Sequence, residues 1–409
     1  MFGIGMRVLA AVGYIGELGE TDGVVTTYQN LIPHFCDSEV ELDLVAYGRE
    51  NEIREVAPGT RLLIHKATLP VRVDPDRTVD PALPFSSTWR LVKKTRYDVV
   101  QSSTPDPLGY YALRIARGQR IPFLALFHTV LDEYARIRLS RQVAPWVGNI
   151  AGTVMNRWMT WYYRQAQLVL APSECVAEGL RARLGVPVGV LSRGVDTDDF
   201  NPKHRDRDDD RVRVLYVGRV APEKSLAVLE RFFKSQNEAD LTIVGNGPYL
   251  EPMKQSLPLA TFTGKLTGKE LRRAYASADI FAFPSKTDTL GNVVLEANSS
   301  GIPAVVTDEM GPKELVKDGV TGFVTGSEEE FTQKLGLLIS DHELRRNMGL
   351  AARAEAGERT WGRVFGRLVG YYETLLKETD PATGRLLPKD AKSELELHKM
   401  SQTRLSELS

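Results

Sequence analysis

Two carboxylates, Asp288 and Glu296, and two cations, Arg219 and Lys224, have the types and spacing to hold a charged small molecule. The acids lie in FPSKTDTLGNVVLEANSSG, residues 283–301. The apolar run Ala278–Phe283 predicts a short buried strand, which Pro284 ends. A polar loop, 285–289, follows, and Leu290-Gly291-Asn292 opens a helix carrying Val293, Val294, Leu295 and Ala297. The first N–H groups of a helix have no partner inside it, so a strand, turn and helix start together favour an anion. Acids beside such a cradle would compete with the anion, unless they accept hydrogen bonds from hydroxyls on either side of a diphosphate. A sugar would sit on one side and a ribose on the other. Taken singly, Asp288 also fits a helix-start cap and Glu296 a solvated helix residue.

The cations belong to Gly218-Arg219-Val220-Ala221-Pro222-Glu223-Lys224-Ser225, a tight loop at the carboxyl end of a strand. There an arginine fork and a lysine point charge would clamp a diphosphate; scattered charges on a solvated loop would look the same. Val244-Gly245-Asn246-Gly247-Pro248 reads as a strand-end turn that lets backbone approach closely.

The elements that position these residues follow an alternating pattern, the mark of parallel sheets with helices on both faces. Strands are expected at 7–13, 41–47, 97–103, 122–128, 168–171 and 188–191, with a loop rich in glycine after the first of them. Helices are expected from Asp22-Gly23-Val24, near 107–117, over 130–166, and over 173–184 with Ser173 as its cap. After Ser192-Arg193-Gly194-Val195-Asp196, a polar tract through Asn201-Pro202 to Asp210 reads as a linker. The alternation then restarts with strands at 212–218, 241–245, 261–263, 280–283, 304–307 and 322–325, and a helix from Glu223. This predicts two Rossmann-like, doubly wound α/β domains facing a cleft, residues 1–193 and 194–360. An apolar, aromatic helix at 361–376 and a polar tail at 377–409 complete the chain.

With 409 residues the chain exceeds one comfortable core, and two domains of about 200 residues are the natural division. A hydrophobic content of 42%, a charged content of 26% and a net charge of −1 suit a soluble globular protein and give no compositional sign of nucleic-acid binding. Cys36 and Cys175 lie far apart, and the six histidines form no cluster, so no zinc site is suggested and a reduced, cytoplasmic protein is expected. No apolar run approaches the roughly 20 residues that span a bilayer.

Gly218-Arg219 and Glu223-Lys224, Gly245-Asn246-Gly247-Pro248, Phe283-Pro284-Ser285, and Thr287-Asp288-Thr289-Leu290-Gly291 with Leu295-Glu296-Ala297 occur in this order. With Gly301-Ile302-Pro303 and Gly319-Val320-Thr321-Gly322-Phe323 after them, residues 6–376 resemble the retaining glycosyltransferases of family 4, which have the GT-B fold. The resemblance implies a donor domain at 194–360, an acceptor domain at 1–193 and a helix at 361–376 crossing back onto the latter. It implies that Arg219 and Lys224 neutralise the leaving diphosphate and that Asp288 holds hydroxyls of the transferred sugar. Glu296 would bind the ribose, and Gly218, Leu266, Leu290, Gly291 and Asn292 would line the nucleotide. The first acid of the family's E-x7-E pattern is Asp288 here, which predicts altered sugar contacts.

In the first half Phe127-His128-Thr129 matches the family's pattern, making His128 a donor-sugar contact near the reacting carbon. Asp22-Gly23-Val24 resembles its G-G-V loop with Asp22 at the first glycine; Gly23 keeps its N–H for a phosphate or the acceptor. The resemblance implies transfer of a hexose from GDP-mannose or a UDP-sugar to a hydroxyl of a lipid or glycan, on the same face, with no metal and no cofactor. The alternatives are a nucleotide-sugar epimerase of the GT-B type and a non-catalytic nucleotide-sugar binding module. A Rossmann oxidoreductase lacks its motif, because the first loop reads G-x-x-G-x-x-G (Gly13, Gly16, Gly19). Arg136, Arg138, Arg141, Trp146, Arg157, Trp158, Trp161, Tyr162, Tyr163 and Arg164 fit either peripheral contact of 136–164 with an anionic membrane or a core helix with a basic edge.

Overall fold

The computed structural model describes residues 5–13, 23–36, 38–48, 50–66, 71–74, 77–79, 87–103, 105–128 and 145–387. Two compact units divide them. The first takes the described residues up to Pro172, Val176–Leu191 and those from Phe365 onward; the second takes Ser173–Cys175 and Ser192–Val364.

The first unit is built on β1 (Met6–Gly13), β2 (Val40–Gly48), β3 (Glu52–Ala57), β4 (Thr60–Lys66), a hairpin of β5 (Val71–Asp74) and β6 (Arg77–Val79), β7 (Val99–Ser102), β8 (Phe123–Leu126), β9 (Leu168–Ala171) and β10 (Val188–Val190). Eight of these form one sheet in the order β10-β9-β8-β7-β1-β2-β4-β3. It is parallel except for β3, which runs antiparallel to β4. Strands covered on both faces read as unbroken apolar runs, and Val8, Leu9, Ala10, Val99, Val100, Leu124 and Val169 are fully buried. β3 exposes most of its charged side chains along the sheet edge, so no apolar alternation betrayed it. Nor did β4, the hairpin or the helix Ser87–Lys94 stand out.

The helix Trp361–Glu378 packs into this unit from Phe365 on. Tyr371 donates its hydroxyl to the carbonyl of Val190 at 3.1 Å, and Tyr372 donates to Gln101 Oε1 at 2.5 Å. Gln101 Nε2 in turn donates to the Tyr28 hydroxyl, which lies 2.5 Å from Ser103 Oγ. A buried amide on a central strand is thus satisfied by a helix from the other end of the chain. The expected polar tail starts later than residue 377. Thr379 bridges to Leu386, and Gln167 Nε2 donates to the carbonyl of Gly384 at 2.8 Å, docking the turn between them. The remainder of the tail, 388–409, lies outside the described residues.

The second unit holds β11 (Val212–Val217), β12 (Ala239–Val244), β13 (Thr261–Gly264), β14 (Ile280–Phe283), β15 (Ala304–Thr307) and β16 (Gly322–Thr325). They form one parallel sheet in the order β13-β12-β11-β14-β15-β16. The order runs outward from β11 in both directions, so the crossovers from β11 to β13 cover one face, those from β14 to β16 cover the other, and the loops after β11 and β14 diverge above their shared edge. That is the switch point at which open α/β sheets bind ligands. Tyr216, Phe281, Phe283, Tyr275, Val294 and Leu338 lie in the core around it.

Candidate active site

The loop after β11 departs from the expected helix at Glu223. Pro222–Lys224 form a single 3-10 turn, Ser225 is left-handed at φ 55°, and the α-helix begins only at Ala227. Proline fixes φ at the start of the turn, and the N–H it lacks is one the turn does not need. The turn presents Lys224 at the carboxyl end of the sheet. Its Nζ donates to both oxygens of Asp288, at 2.8 and 2.7 Å. The two residues are 64 apart in sequence and meet because β11 and β14 are neighbours.

Asp288 therefore caps nothing. The N-cap of the helix Asn292–Ser299 is Gly291, left-handed at φ 86°, and no side chain caps that end. A side chain there would be strained and would meet Pro312 Cγ at 3.1 Å, so glycine is required. The loop is held from behind by Gly311, whose N–H donates to the carbonyl of Asp288 at 3.1 Å and whose Cα hydrogen faces Thr289 O. Nothing in the local pattern marked Gly311. Thr307 Oγ1 donates to the carbonyl of Ser285 at 2.9 Å, fixing the other end of the loop.

Glu296 is not a solvated helix residue. Its Oε2 accepts from the hydroxyl of Tyr275 at 2.7 Å, and burial pushes its pKa up to about 7 against that hydrogen bond, which acts the other way. Burial and the neighbouring carboxylate hold the Tyr275 phenol well above its ordinary value, so it is a donor throughout the working pH range. Tyr275 comes from the helix Gly268–Ala276, and no motif signalled it.

Arg219 follows β11 on the surface, with Nη1 4.0 Å from Glu223 Oε1. Its carbonyl accepts from the buried Tyr216 hydroxyl at 2.8 Å, which fixes the backbone under the guanidinium. Gly218 spends its N–H on the carbonyl of Val244 at 3.0 Å, so it braces the loop and does not offer that donor to a ligand. The glycines after β12 are more than turns: a Cβ on Gly245 would sit 1.9 Å from Gly218 O, and one on Gly247 2.2 Å from Val220 O. Gly245→Ala is expected to destabilise the second unit by about 3 kcal/mol, the cost of forcing backbone apart, read as a lower urea midpoint. Leu290 is buried in the core and Leu266 half-buried against it, leaving their backbones as the groups able to meet a ligand. Asn292 begins the helix, half-buried.

In the first unit His128 lies two residues beyond β8 and is half-buried. Gly23 is the first residue of the helix Gly23–Cys36; Asp22 lies outside the described residues, as do Thr129, Arg136, Arg138 and Arg141. Ser173 is not the cap of the helix Glu174–Leu184. Its hydroxyl donates to Thr289 O at 2.7 Å, while the N–H groups of Glu174 and Cys175 donate to the Glu314 carboxylate at 2.8 and 2.7 Å. A carboxylate replaces the hydroxyl as acceptor and also matches the positive end of the helix. No group of His, Cys, Asp and Glu suited to a metal occurs among the described residues.

The ion pair and the half-buried acid thus follow two neighbouring strands of one sheet, and the family is given by comparison with known proteins. The model of "Glycosyltransferase Family 4" matches residues 21–199 and that of "Glycosyl transferases group 1" residues 197–355. A GDP-mannose-dependent alpha-mannosyltransferase of Mycolicibacterium smegmatis is 35% identical over 377 residues, 88% of this chain and 95% of that protein. The chain belongs to glycosyltransferase family 4. This family 4 enzyme is also 32% identical over 290 residues to the sulfoquinovosyl transferase of Arabidopsis thaliana, a match that covers 66% of the chain and only 55% of the plant protein. Sucrose-phosphate synthase from Thermosynechococcus elongatus shares the fold with a TM-score of 0.72, covering 91% of this chain and 99% of that one at 16% identity. The GT-B fold class expected from the sequence is the one found.

Proposed function

We propose that this glycosyltransferase moves mannose from GDP-mannose to a hydroxyl of a lipid or glycan acceptor, with retention of configuration. The observation that carries the reading is the Lys224–Asp288 pair, 2.7 Å apart at the switch point, next to a helix start with no side-chain cap and one turn from Glu296. In this reading the diphosphate lies over the N-terminus of Asn292–Ser299, drawn by the helix dipole and by Lys224 and Arg219. Asp288, already oriented by Lys224, accepts from hydroxyls of the sugar, and Glu296 accepts from the ribose. As the bond from the anomeric carbon to the diphosphate oxygen lengthens, negative charge grows on that oxygen. The two cations stabilise it in place, where they need no reorganisation. The acceptor hydroxyl attacks the same face and gives its proton to the departing phosphate. These charges leave no task that demands a metal or a cofactor. The choice of GDP-mannose is supported by the mycobacterial relative, whose aligned region spans nearly all of both chains.

The test offers GDP-mannose, UDP-glucose and UDP-galactose in turn, with glycerolipid and mannoside acceptors, in the presence of a chelator. The expected product is an α-mannoside formed with release of GDP. A β-linked product would remove the same-face step, transfer from a UDP-sugar alone would overturn the donor, and loss of turnover in chelator would overturn the metal-free step.

A further inference from the structure

We propose that the helix Pro145–Tyr163 docks the protein on the surface of an anionic lipid bilayer through Trp146, Ile150, Val154, Trp158 and Trp161. This stands independently of which sugar is transferred. The five side chains recur every three or four residues and are 67%, 56%, 61%, 39% and 44% exposed. At a rotation of about 100° per residue they fall within an arc of about 120°, along about 22 Å of helix. The opposite face is the one the fold uses. Gly148, Gly152, Met159, Tyr162 and Tyr163 are buried there, Tyr162 donates to Ser102 Oγ at 2.7 Å, and Tyr163 packs on Phe127 with ring centroids 5.4 Å apart. The helix is therefore held firmly while a complete apolar stripe faces outward. The other exposed large apolar residues, such as Ile53, Leu259 and Leu350, lie on separate elements. A single one needs no explanation, but an ordered stripe does.

The chemistry of the stripe chooses the occupant. Three of the chain's five tryptophans are on it, the side chain that best suits a boundary between hydrocarbon and water. Exposed Arg157 falls within the same arc by the helical rotation, and exposed Arg164 borders it. Arg117, whose guanidinium donates to Gln165 Oε1, adds a third charge near its end. No acid occurs from Pro145 to Ser173, so the charge carried by this segment is positive and complements anionic headgroups. A second copy pairing by the same face would bring these like charges together, because a two-fold interface matches a patch with itself. The helix lies on the surface and does not cross it: among the described residues no helix is long and apolar enough to span a membrane.

The full chain is sedimented with vesicles of phosphatidylcholine alone and with vesicles half phosphatidylglycerol, at low and high salt. Tryptophan fluorescence is followed in parallel with brominated acyl chains as quenchers. Binding to the anionic vesicles is expected to exceed that to neutral ones by about tenfold at low salt, to weaken with salt, and to be accompanied by bromolipid quenching. The triple variant Trp146→Glu, Ile150→Glu, Val154→Glu should lose about tenfold in bound fraction with an unchanged circular dichroism spectrum. Should it not fold, Arg157→Glu carries the same test with a smaller loss. Equal pelleting with both vesicles, no quenching, or a folded variant that binds as well as the parent overturns the proposal. So does light scattering showing a dimer that the variant abolishes while vesicles are never bound.

Discussion

Lys224→Ala is expected to lower the rate of sugar transfer by about 100-fold or more, the usual loss when one preorganised group facing developing charge is removed. Lys224 combines a positive charge, a position at the β11–β14 edge and two hydrogen bonds that aim the Asp288 carboxylate. In the proposed mechanism its loss removes stabilisation of the leaving diphosphate and releases the acid that holds the sugar. The fold should survive, because Asp288 retains 25% of its side-chain exposure and can be hydrated once unpaired. The expected stability loss is about 1 kcal/mol. Initial rates with saturating donor, set beside a urea unfolding curve, separate the two effects. Turnover near that of the parent would sink the assignment of the site.

The second large effect concerns Glu296. Its carboxyl has a pKa of about 7 in the folded chain, against 4.5 for an ordinary glutamate, because the protein around it desolvates the charge. In the proposed reading the ribose donates two hydrogen bonds to Glu296, which needs the ionised form. Affinity for GDP-mannose should therefore rise as pH goes from 6 to 8, with a proton released on binding, and Glu296→Gln should flatten that slope. Loss of two charge-assisted hydrogen bonds predicts a fall of about 100-fold or more in transfer for Glu296→Ala. Stability carries the opposite sign. Between the unfolded and folded values the native state holds a proton that the unfolded chain has lost. Stability is thus fully present below about 4.5 and lost as pH rises through about 7, by at most about 3 kcal/mol, in the ligand-free enzyme. Urea unfolding from pH 5 to 8 on parent and Glu296→Gln, which has no charge to lose, checks the sign. Stability that rises over that window in the parent and not in the variant would contradict it.

Most of the sheet was legible because the central parallel strands are buried on both faces and are written as continuous apolar runs, as in Val8–Val12 or Val214–Val217. Two exceptions have causes of their own. β3 lies at an edge with its side chains in water, and the helix after β11 starts four residues late because a proline and a left-handed serine close a separate turn first. The cap at Glu174 differs from the expected Ser173 because a serine beside a helix start is the local signal, but a glutamate 140 residues away is the acceptor.

The sequence by itself determined the inventory of the site. It supplied a strand-end loop with Arg219 and Lys224, a second with Asp288, and a helix carrying Glu296, all at carboxyl ends of strands. Short-range rules are enough for that, since periodicity, proline and glycine act within a few residues. Only the tertiary structure decided that β11 lies against β14, which turns two loops 64 residues apart into one ion pair. It alone brought Tyr275 under Glu296 and surrounded that acid closely enough to raise its pKa. It also left Trp146, Ile150 and Val154 facing outward when their pattern equally suited a buried stripe. Strand order, desolvation and the choice of exposed face depend on contacts between distant segments, and no window along the chain contains them.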